Sequence, residues 1–273
     1  MSKEQNLTNN HTKLSIQINL DGFSFCVYQQ ASAQYLHFGH KKFPNKASTP
    51  SNLLEAVKAV FETETVLQQT YDEVVLIHQN EMSTLVPQEY FDEDNLEAYL
   101  KNTVKTFEND FISFDELDTI KANTVYIPYV NVNNFIFDQF GTFTYLHANT
   151  VFIQNILQHF PSSEAPKMYI NVYANNYQLV VVKEGKLLLS NHFSFTTKED
   201  FAYYILFVAD QLKLDTNVFE LTLFGDINEQ TDYYKLLYNY VRNVQVYNKL
   251  NTALANGIHT APQAHFNLLY LHS

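Results

Sequence analysis

"LSIQINLDGFSFCVY" (Leu14–Tyr28) is the stretch on which the architecture turns. Apolar residues occupy Leu14, Ile16, Ile18 and Leu20, the pair Asp21-Gly22 supplies a turn, and Phe23, Phe25 and Val27 resume the alternation. That pattern predicts a β-hairpin. Moving outward, "QYLHFGHKKF" reads as a third strand, and Pro50-Ser51 opens a helix whose Leu53, Leu54, Val57, Val60 and Phe61 repeat at helical spacing, with Leu67 continuing the stripe. The strand "DEVVLIHQ" closes a unit of strand, strand, strand, helix, strand.

The same order starts again at Met168. "MYINVYANNYQLVVV" is a second hairpin opening, "KEGK" a turn in which Gly185 is free to take positive φ, and "KLLLSNHFSF" a third strand. A helix follows. Thr196 or Thr197 caps it, Glu199 and Asp200 load its first turn, and Phe201, Tyr204, Ile205, Val208, Ala209 and Leu212 form its buried stripe. "ELTLFGDI" closes the second unit. Placed on one another, the hairpins pair Asn19 with Asn171, an offset of 152, and Phe25 with Tyr177; the closing strands pair Glu73 with Glu220, an offset of 147. The chain is therefore an internal duplication.

Between the copies the pattern predicts a helix near Asp92 to Phe107, a strand "NTVYIPY", a short helix "VNNFIFDQF" ended by Gly141, a strand "FTYLH" and a helix "VFIQNILQHF". "FENDFISFDELD" reads as solvated loop and helix surface. The expected organisation is a flexible start over 1–13, a first subdomain with a helical insertion over 14–161, and a second subdomain with a C-terminal helix over 166–273, with "PSSEAP" as the boundary. After the second unit come a helix "DYYKLLYNYVRN", a strand "VQVYN", a stretch "ALANGIHTAPQA" of low order and a last helical turn.

Composition narrows the function classes. The chain has 273 residues, formal charge −12, 17% charged and 46% hydrophobic residues, and Arg242 is its one arginine. An acidic chain almost without the forked phosphate-reading donor is a poor nucleic-acid binder, and without a polybasic run it is not expected to dock on an anionic membrane. The polar N-terminus has no signal-peptide core and "FAYYILFVA" is too short to span a bilayer, so a cytoplasmic protein is expected. Cys26, the single cysteine, sits in a strand apolar on both faces and should stay protonated and unreactive. His37 and His40 project to opposite sides of a strand without acidic companions, and His265 with His272 is read as no metal site either. Asp92, Glu93 and Asp94 complement a helix dipole rather than perform acid-base work. No nucleophile elbow, P-loop or dinucleotide fingerprint is present. In the tyrosine-rich helix, Tyr233, Leu236, Leu237 and Tyr240 form one stripe and Tyr234 and Tyr238 another, the second suited to a protein partner if exposed.

The duplicated α/β units resemble the actin-like ATPase fold, two tandem ribonuclease-H-like subdomains facing across a cleft. More closely, "TLVPQEYFDEDNLEAYL", "FGTFTYLHANTVFIQNIL" and "PQAHFNLLYLHS" resemble a bacterial domain-of-unknown-function family (number 3822) with that fold. More distantly the chain is similar to cytoplasmic assembly platforms of type IV pili and type II secretion. In active members of the fold, the resemblance implies, the first hairpin carries an aspartate and a glycine turn that hold nucleotide phosphates and magnesium. Here the matching residue is Asn19, with Asp21 and Gly22 two and three positions later; in the second half it is Asn171, in a turn without glycine. Gly225 and Asp226 match the adenosine-side turn. The resemblance thus implies a vestigial nucleotide cleft at these six residues, no catalytic residue and no required cofactor. The expected function is a non-catalytic interaction or scaffold module with a protein partner. Two alternatives stand beside it: a weak ATP- and magnesium-binding protein or ATPase using Asp21, Gly22 and Gly225, and an assembly-platform subunit taking a peptide from a membrane partner beside an exposed sheet edge.

Overall fold

The Leu14–Tyr28 hairpin forms as the alternation requires. Strands β1 (Thr12–Ile18) and β2 (Gly22–Gln29) pair antiparallel, Ile18 facing Phe23 and Leu14 facing Val27. The computed structural model of this chain describes residues 11–101, 104, 110–249, 253–255, 257–258 and 260–272. The flexible start expected for residues 1–13 lies outside it as far as residue 10, and β1 begins at Thr12.

β3 (Gln34–Lys42) extends the hairpin, α1 (Pro50–Thr63) crosses one face, and β4 (Glu73–His78) returns parallel to β1. The helix begins where Thr49 accepts from the Asn52 amide and Pro50 occupies a position whose N–H has no helical partner. In the second unit β9 (Lys167–Val172), β10 (Asn176–Lys183), β11 (Lys186–Ser194), α5 (Lys198–Gln211) and β12 (Glu220–Gly225) repeat the order, with β12 parallel to β9. Thr197 caps α5 in a full capping box with Asp200. Glu184 and Gly185 both take positive φ in the β10–β11 turn.

The insertion departs from the expected helical one. β5 (Ser83–Pro87), β6 (Ser113–Leu117) and β7 (Ala122–Tyr126) form a separate three-stranded antiparallel sheet with β7 in the middle. α2 (Leu96–Leu100) packs on it through Leu100, against Val86, Val125 and Ile127; the part of the expected helix near Phe107 lies outside the described residues. "FENDFISFDELD" is therefore not solvated surface throughout, because Ser113–Leu117 is a strand with Asp115 6% exposed. α3 (Val130–Phe140), β8 (Thr144–His147) and α4 (Ala148–His159) lead to the second unit.

Two large sheets result, in the orders β14-β3-β2-β1-β4-β8 and β11-β10-β9-β12-β13, where β13 is Asn243–Val246 and β14 Ala253–Leu254. α1 and α3 cover the outer face of the first sheet through Leu53, Val57, Phe61, Val132 and Ile136. α5 and α6 (Asp232–Tyr238) cover the outer face of the second through Phe201, Ile205, Val208 and Leu237. α4 and the terminal helix α7 (Phe266–Tyr270) lie between the sheets, where Phe152, Phe224, Phe266 and Tyr270 share one core. The C-terminal segment thus serves both halves: β14 pairs with β3 of the first sheet, and α7 packs against Phe224 of the second. α6 stops at Tyr238, so Tyr240 is exposed rather than part of a buried stripe, and Tyr238 is exposed too.

Backbone pairing gives the register of the duplication, which differs from the sequence alignment. Lys13 faces Glu73, and Lys167 faces Glu220, each an ion pair of 2.8 and 3.1 Å. The Ile18 carbonyl accepts from Gln79 N–H, and the Val172 carbonyl from Asp226 N–H. The turn bond Asn19 N–H to Gly22 O recurs as Tyr173 N–H to Asn176 O. The hairpins therefore superpose with an offset of 154 (19 to 173). Asn19 corresponds to Tyr173 and Asn171 to Gln17, so the two asparagines are not equivalent positions.

Candidate functional site

The carboxyl ends of β1, β4 and β8 and the β9–β10 turn face one another across a cleft of about 880 Å³. Such a crevice is where open α/β sheets place ligands. Its walls come from the β1–β2 turn (Asn19 to Asp21), the approach to α1 (Lys46 to Leu53), the segment after β4 (Gln79 to Met82), the entry to α3 (Ile127 to Asn131, with Asn134), Asp110 and Phe111, and, across the gap, Tyr173, Asn176 and His192.

Asn19 is held from two sides. Its Oδ1 accepts from Asp21 N–H at 2.8 Å, folding the turn on itself, while its Nδ2 donates to Gln79 Oε1 at 3.2 Å. Gln17 Nε2 donates to the same oxygen at 2.8 Å. Asp21 lies at the rim, 3.8 Å from Lys46 Nζ. Gly22, the first residue of β2, stands behind the turn.

The other three expected residues do not line the cleft. Asn171 is 4% exposed and donates to Tyr173 Oη at 2.9 Å. Gly225, at φ +87°, donates its N–H to the Gln263 carbonyl at 2.6 Å, so the C-terminal segment occupies the amide that the adenosine-side turn would offer. Asp226 is exposed beyond it. The vestigial cleft of six residues thus resolves into Asn19 and Asp21 on its wall, Gly22 behind them, and three residues elsewhere. Of Asp21, Gly22 and Gly225, the residues an ATP-binding reading uses, only Asp21 is on the cleft wall.

Sequence reasoning passed over the residues at the floor. His78 and His147 end β4 and β8 and are register partners. Each ring is held neutral in the same way: His78 Nδ1 accepts from Tyr129 N–H and its Nε2 donates to Asn133 Oδ1 at 2.8 Å, while His147 Nδ1 accepts from Asn149 N–H at 3.1 Å and its Nε2 lies 3.4 Å from Asn80 Oδ1. His78 therefore joins the end of β4 to the start of α3, and His147 the end of β8 to the start of α4. Burial lowers the His78 pKa to about 4 and that of His147 well below its ordinary value. The signal was present: "IHQN" (77–80) and "LHAN" (146–149) repeat strand-His-x-Asn.

Beneath His147 lies Asp115, which accepts from His147 N–H (2.7 Å), Thr150 Oγ1 (2.7 Å) and Tyr126 Oη (2.9 Å). Burial pushes its pKa up to about 6, against the three donors. Asp115→Ala would leave all three without an acceptor, and urea titration is expected to show a loss of about 3 kcal/mol or more. A loss under about 1 kcal/mol would mean that the carboxylate does not hold the insertion to α4.

A magnesium–triphosphate fits this donor set poorly. Neither equivalent hairpin position offers a carboxylate, since they are Asn19 and Tyr173, and among the described lining residues Lys46 is the one lysine, beside Asp21. Among the described residues no three His, Cys, Asp or Glu side chains are grouped as metal ligands, and no helix is long and apolar enough to cross a membrane. His40 and His265 do meet, ring centres 5.1 Å apart, and Ser24 bonds His40. Cys26 is buried, and its thiol is pushed well above the ordinary range by desolvation.

Residues 2–244 match the family described as "Protein of unknown function (DUF3822)". The chain is similar to a solved protein of unknown function with an actin-like ATPase fold from Bacteroides thetaiotaomicron, at 22% identity over 99% of both chains and a TM-score of 0.83. It is also similar, at 12% identity, TM-score 0.61 and coverage of 95% and 97%, to a chain of the PilM-PilN type IV pilus biogenesis complex. A third structure is the ethanolamine utilization protein EutJ from Carboxydothermus hydrogenoformans, at 8% identity, TM-score 0.52 and coverage of 95% and 89%. No curated protein matches. The fold is the actin-like ATPase fold.

Proposed function

We propose, for a chain that belongs to the family of proteins of unknown function DUF3822, a non-catalytic interaction or scaffold role in which the actin-like cleft no longer turns over nucleotide. The observation that carries this reading is the pair of equivalent hairpin positions: Asn19 in one half and Tyr173 in the other, neither offering the anionic carboxylate that would orient magnesium and water. The bond from Gly225 N–H to Gln263 O supports it from the opposite side of the fold. Phosphoryl transfer depends on electrostatic stabilisation that an amide and a phenol at these places do not supply.

Calorimetry with ATP, with and without magnesium, tests the proposal. The expected result is no saturable heat up to millimolar nucleotide and no thermal shift, since a ligand at a hundred times its Kd stabilises by about 2.7 kcal/mol. Magnesium-dependent binding near micromolar would overturn it, and Asp21→Ala would then show whether the rim carboxylate is responsible.

An assembly-platform role is the second reading. Among the described residues β14 covers β3 only at Gln34 and Tyr35, so the outer edge of β3 beyond Tyr35 carries no strand and can accept an extended peptide. The pilus-complex chain is similar to this one in fold, and the reading borrows its membrane-linked partner by analogy alone.

A further inference from the structure

We propose that two copies of this chain pair edge to edge through β11, joining their five-stranded sheets into one. The inference goes beyond the non-catalytic reading and does not depend on it. β11 ends the sheet order β11-β10-β9-β12-β13, and among the described residues no strand adjoins its outer side. Phe195 N–H donates to Asn175 O, so the backbone there turns toward β10; strand alternation turns the amides and carbonyls of Ser190, His192 and Ser194 the other way, outward. His192 shows this directly, because its N–H goes to Asn191 Oδ1 at 2.8 Å rather than to β10. Open edges are ordinarily blunted by charge, proline or a covering segment. β3 ends in Lys41 and Lys42 and carries β14 at Gln34 and Tyr35, and β13 has only four residues. β11 has neither charge nor proline from Leu187 to Ser194, in a chain of formal charge −12, and its one bulge lies before the outward run begins at Ser190.

A second observation is the helix beside this edge. Tyr204 of α5 stacks on Phe193 of β11 with ring centres 5.1 Å apart, Tyr203 meets Tyr204 edge-on at 5.2 Å, and Phe207 stacks on Tyr203 at 6.1 Å. The rings thus climb from the edge strand over α5, and the upper two stay in water, Tyr203 59% and Phe207 45% exposed. Such a patch marks an interaction surface. The other face of β11 is engaged by the first half, since Ser190 Oγ donates to Asn149 Oδ1 and Ser194 Oγ to Glu81 Oε2, so the open direction lies in the plane of the sheet. A second copy fits that direction because pairing about a twofold axis at Asn191 is self-complementary. Ser190 and His192 of one copy exchange backbone bonds with His192 and Ser190 of the other, Leu189 faces Phe193 on the helix side, and the Asn191 side chains, released from His192, meet at the axis. α5 lies over β10 and β11, touching Tyr177 and Phe193, so the two copies of α5 would flank the junction about 15 Å apart, a gap that large rings can fill. The exposed parts of Tyr203 and Phe207 come to about 100 Å² per ring. Four such rings with two strand edges of nine residues approach the ~1,000 Å² that a specific interface clears.

Sedimentation velocity of the full chain over a series from about 1 to 200 µM tests the pairing. Reversible passage from monomer to dimer is expected, with a Kd on the order of 10 µM. Phe207→Lys and Tyr203→Lys, both at exposed positions, should leave the thermal midpoint within about 3 °C and weaken the dimer about tenfold or more, because each sets like charges beside the axis. Tyr238→Lys, on α6 and as exposed as Tyr203, should leave the dimer unchanged. Backbone amide exchange compared at the two ends of the series should slow at Ser190, His192 and Ser194 and not along β3. A monomer throughout the series, a dimer indifferent to both lysines on α5 or broken by Tyr238→Lys, or protection along β3 instead of β11 would overturn the inference. None of these outcomes touches the non-catalytic reading, which calorimetry with ATP decides. Binding of magnesium-ATP would overturn that reading and leave the dimer standing.

Discussion

Replacing Gly225 by alanine is expected to destabilise the protein by about 4 kcal/mol, lowering the thermal midpoint by about 10 °C. A Cβ at this position would lie 2.0 Å from the Val172 carbonyl oxygen and 2.6 Å from its nitrogen. These are backbone atoms of the neighbouring parallel strand, so no rotamer change relieves the overlap; β9 and β12 must part, or the turn must move. The residue also sits at φ +87°, where an L side chain adds strain of its own. Moving the turn would disturb the bond from Gly225 N–H to Gln263 O and the one from Asp226 N–H to Val172 O, which fasten the C-terminal segment and the strand end. Gly257→Ala separates strain from collision. Gly257 has φ +90° but nothing within 4 Å of an added Cβ, so its cost should stay near 1 kcal/mol. Urea titrations of both variants give the comparison; equal losses would show that β9 is not packed against this turn.

The same strand ends show where sequence reading succeeds and where it stops. Hairpins, helices and their caps are local. The alternation from Leu14 to Val27 and the capping box at Thr197 can be read without knowing what lies opposite. Register between the halves cannot be read this way. Sliding one hairpin by two residues keeps every side chain on its own face, so offsets of 152 and 154 satisfy the hydrophobic pattern equally, and only the ladders Lys13–Glu73 and Lys167–Glu220 decide. The shift matters because it replaces an apparent Asn–Asn pair by Asn19 with Tyr173. The three-stranded insertion was hidden for a related reason: "STLVP" and "SFDEL" are short, broken by Pro87 and Asp115, and become strands through pairing with Ala122–Tyr126. Asp115 read as surface because its three donors come from Tyr126, His147 and Thr150, none of them adjacent in sequence.

Acidification from pH 7 to 5 is expected to cost about 3 kcal/mol of stability, a large share of the 5–15 kcal/mol typical of a folded chain. His78 and His147 are wholly buried, and in both rings Nδ1 accepts a backbone N–H. Protonation would set a second N–H against that donor and bury a charge. Their folded-state pKa values lie below the ordinary value, at about 4 for His78, and for His147 burial lowers it well below the ordinary value. The stability that the neutral rings confer is therefore complete above about pH 6.5 and is lost as pH falls toward 4, at about 1.4 kcal/mol per ring for each pH unit. Two rings give about 4 kcal/mol at pH 5. Asp115 acts in the opposite sense: its folded pKa, raised to about 6, makes its ionised form a burden at neutral pH, and about 1.4 kcal/mol of that burden is relieved between pH 6 and 5. His192, His265 and His272 are shifted in the same direction as the two buried rings, but their partial exposure lets solvent screen them and they add little. Urea midpoints at half-unit steps from pH 7.5 to 4.5 should fall below about pH 6.5. In His78→Gln, which is neutral at every pH in the series, the loss between pH 7 and 5 should shrink by about 2 kcal/mol, roughly three quarters of the net effect, whatever the variant costs at pH 7. A midpoint that stays flat or rises down to pH 5, or a slope unchanged in His78→Gln, would mean that the histidines at the ends of β4 and β8 accept protons in the folded state. The strand-to-helix bonds at the floor of the cleft would then not be what keeps those rings neutral.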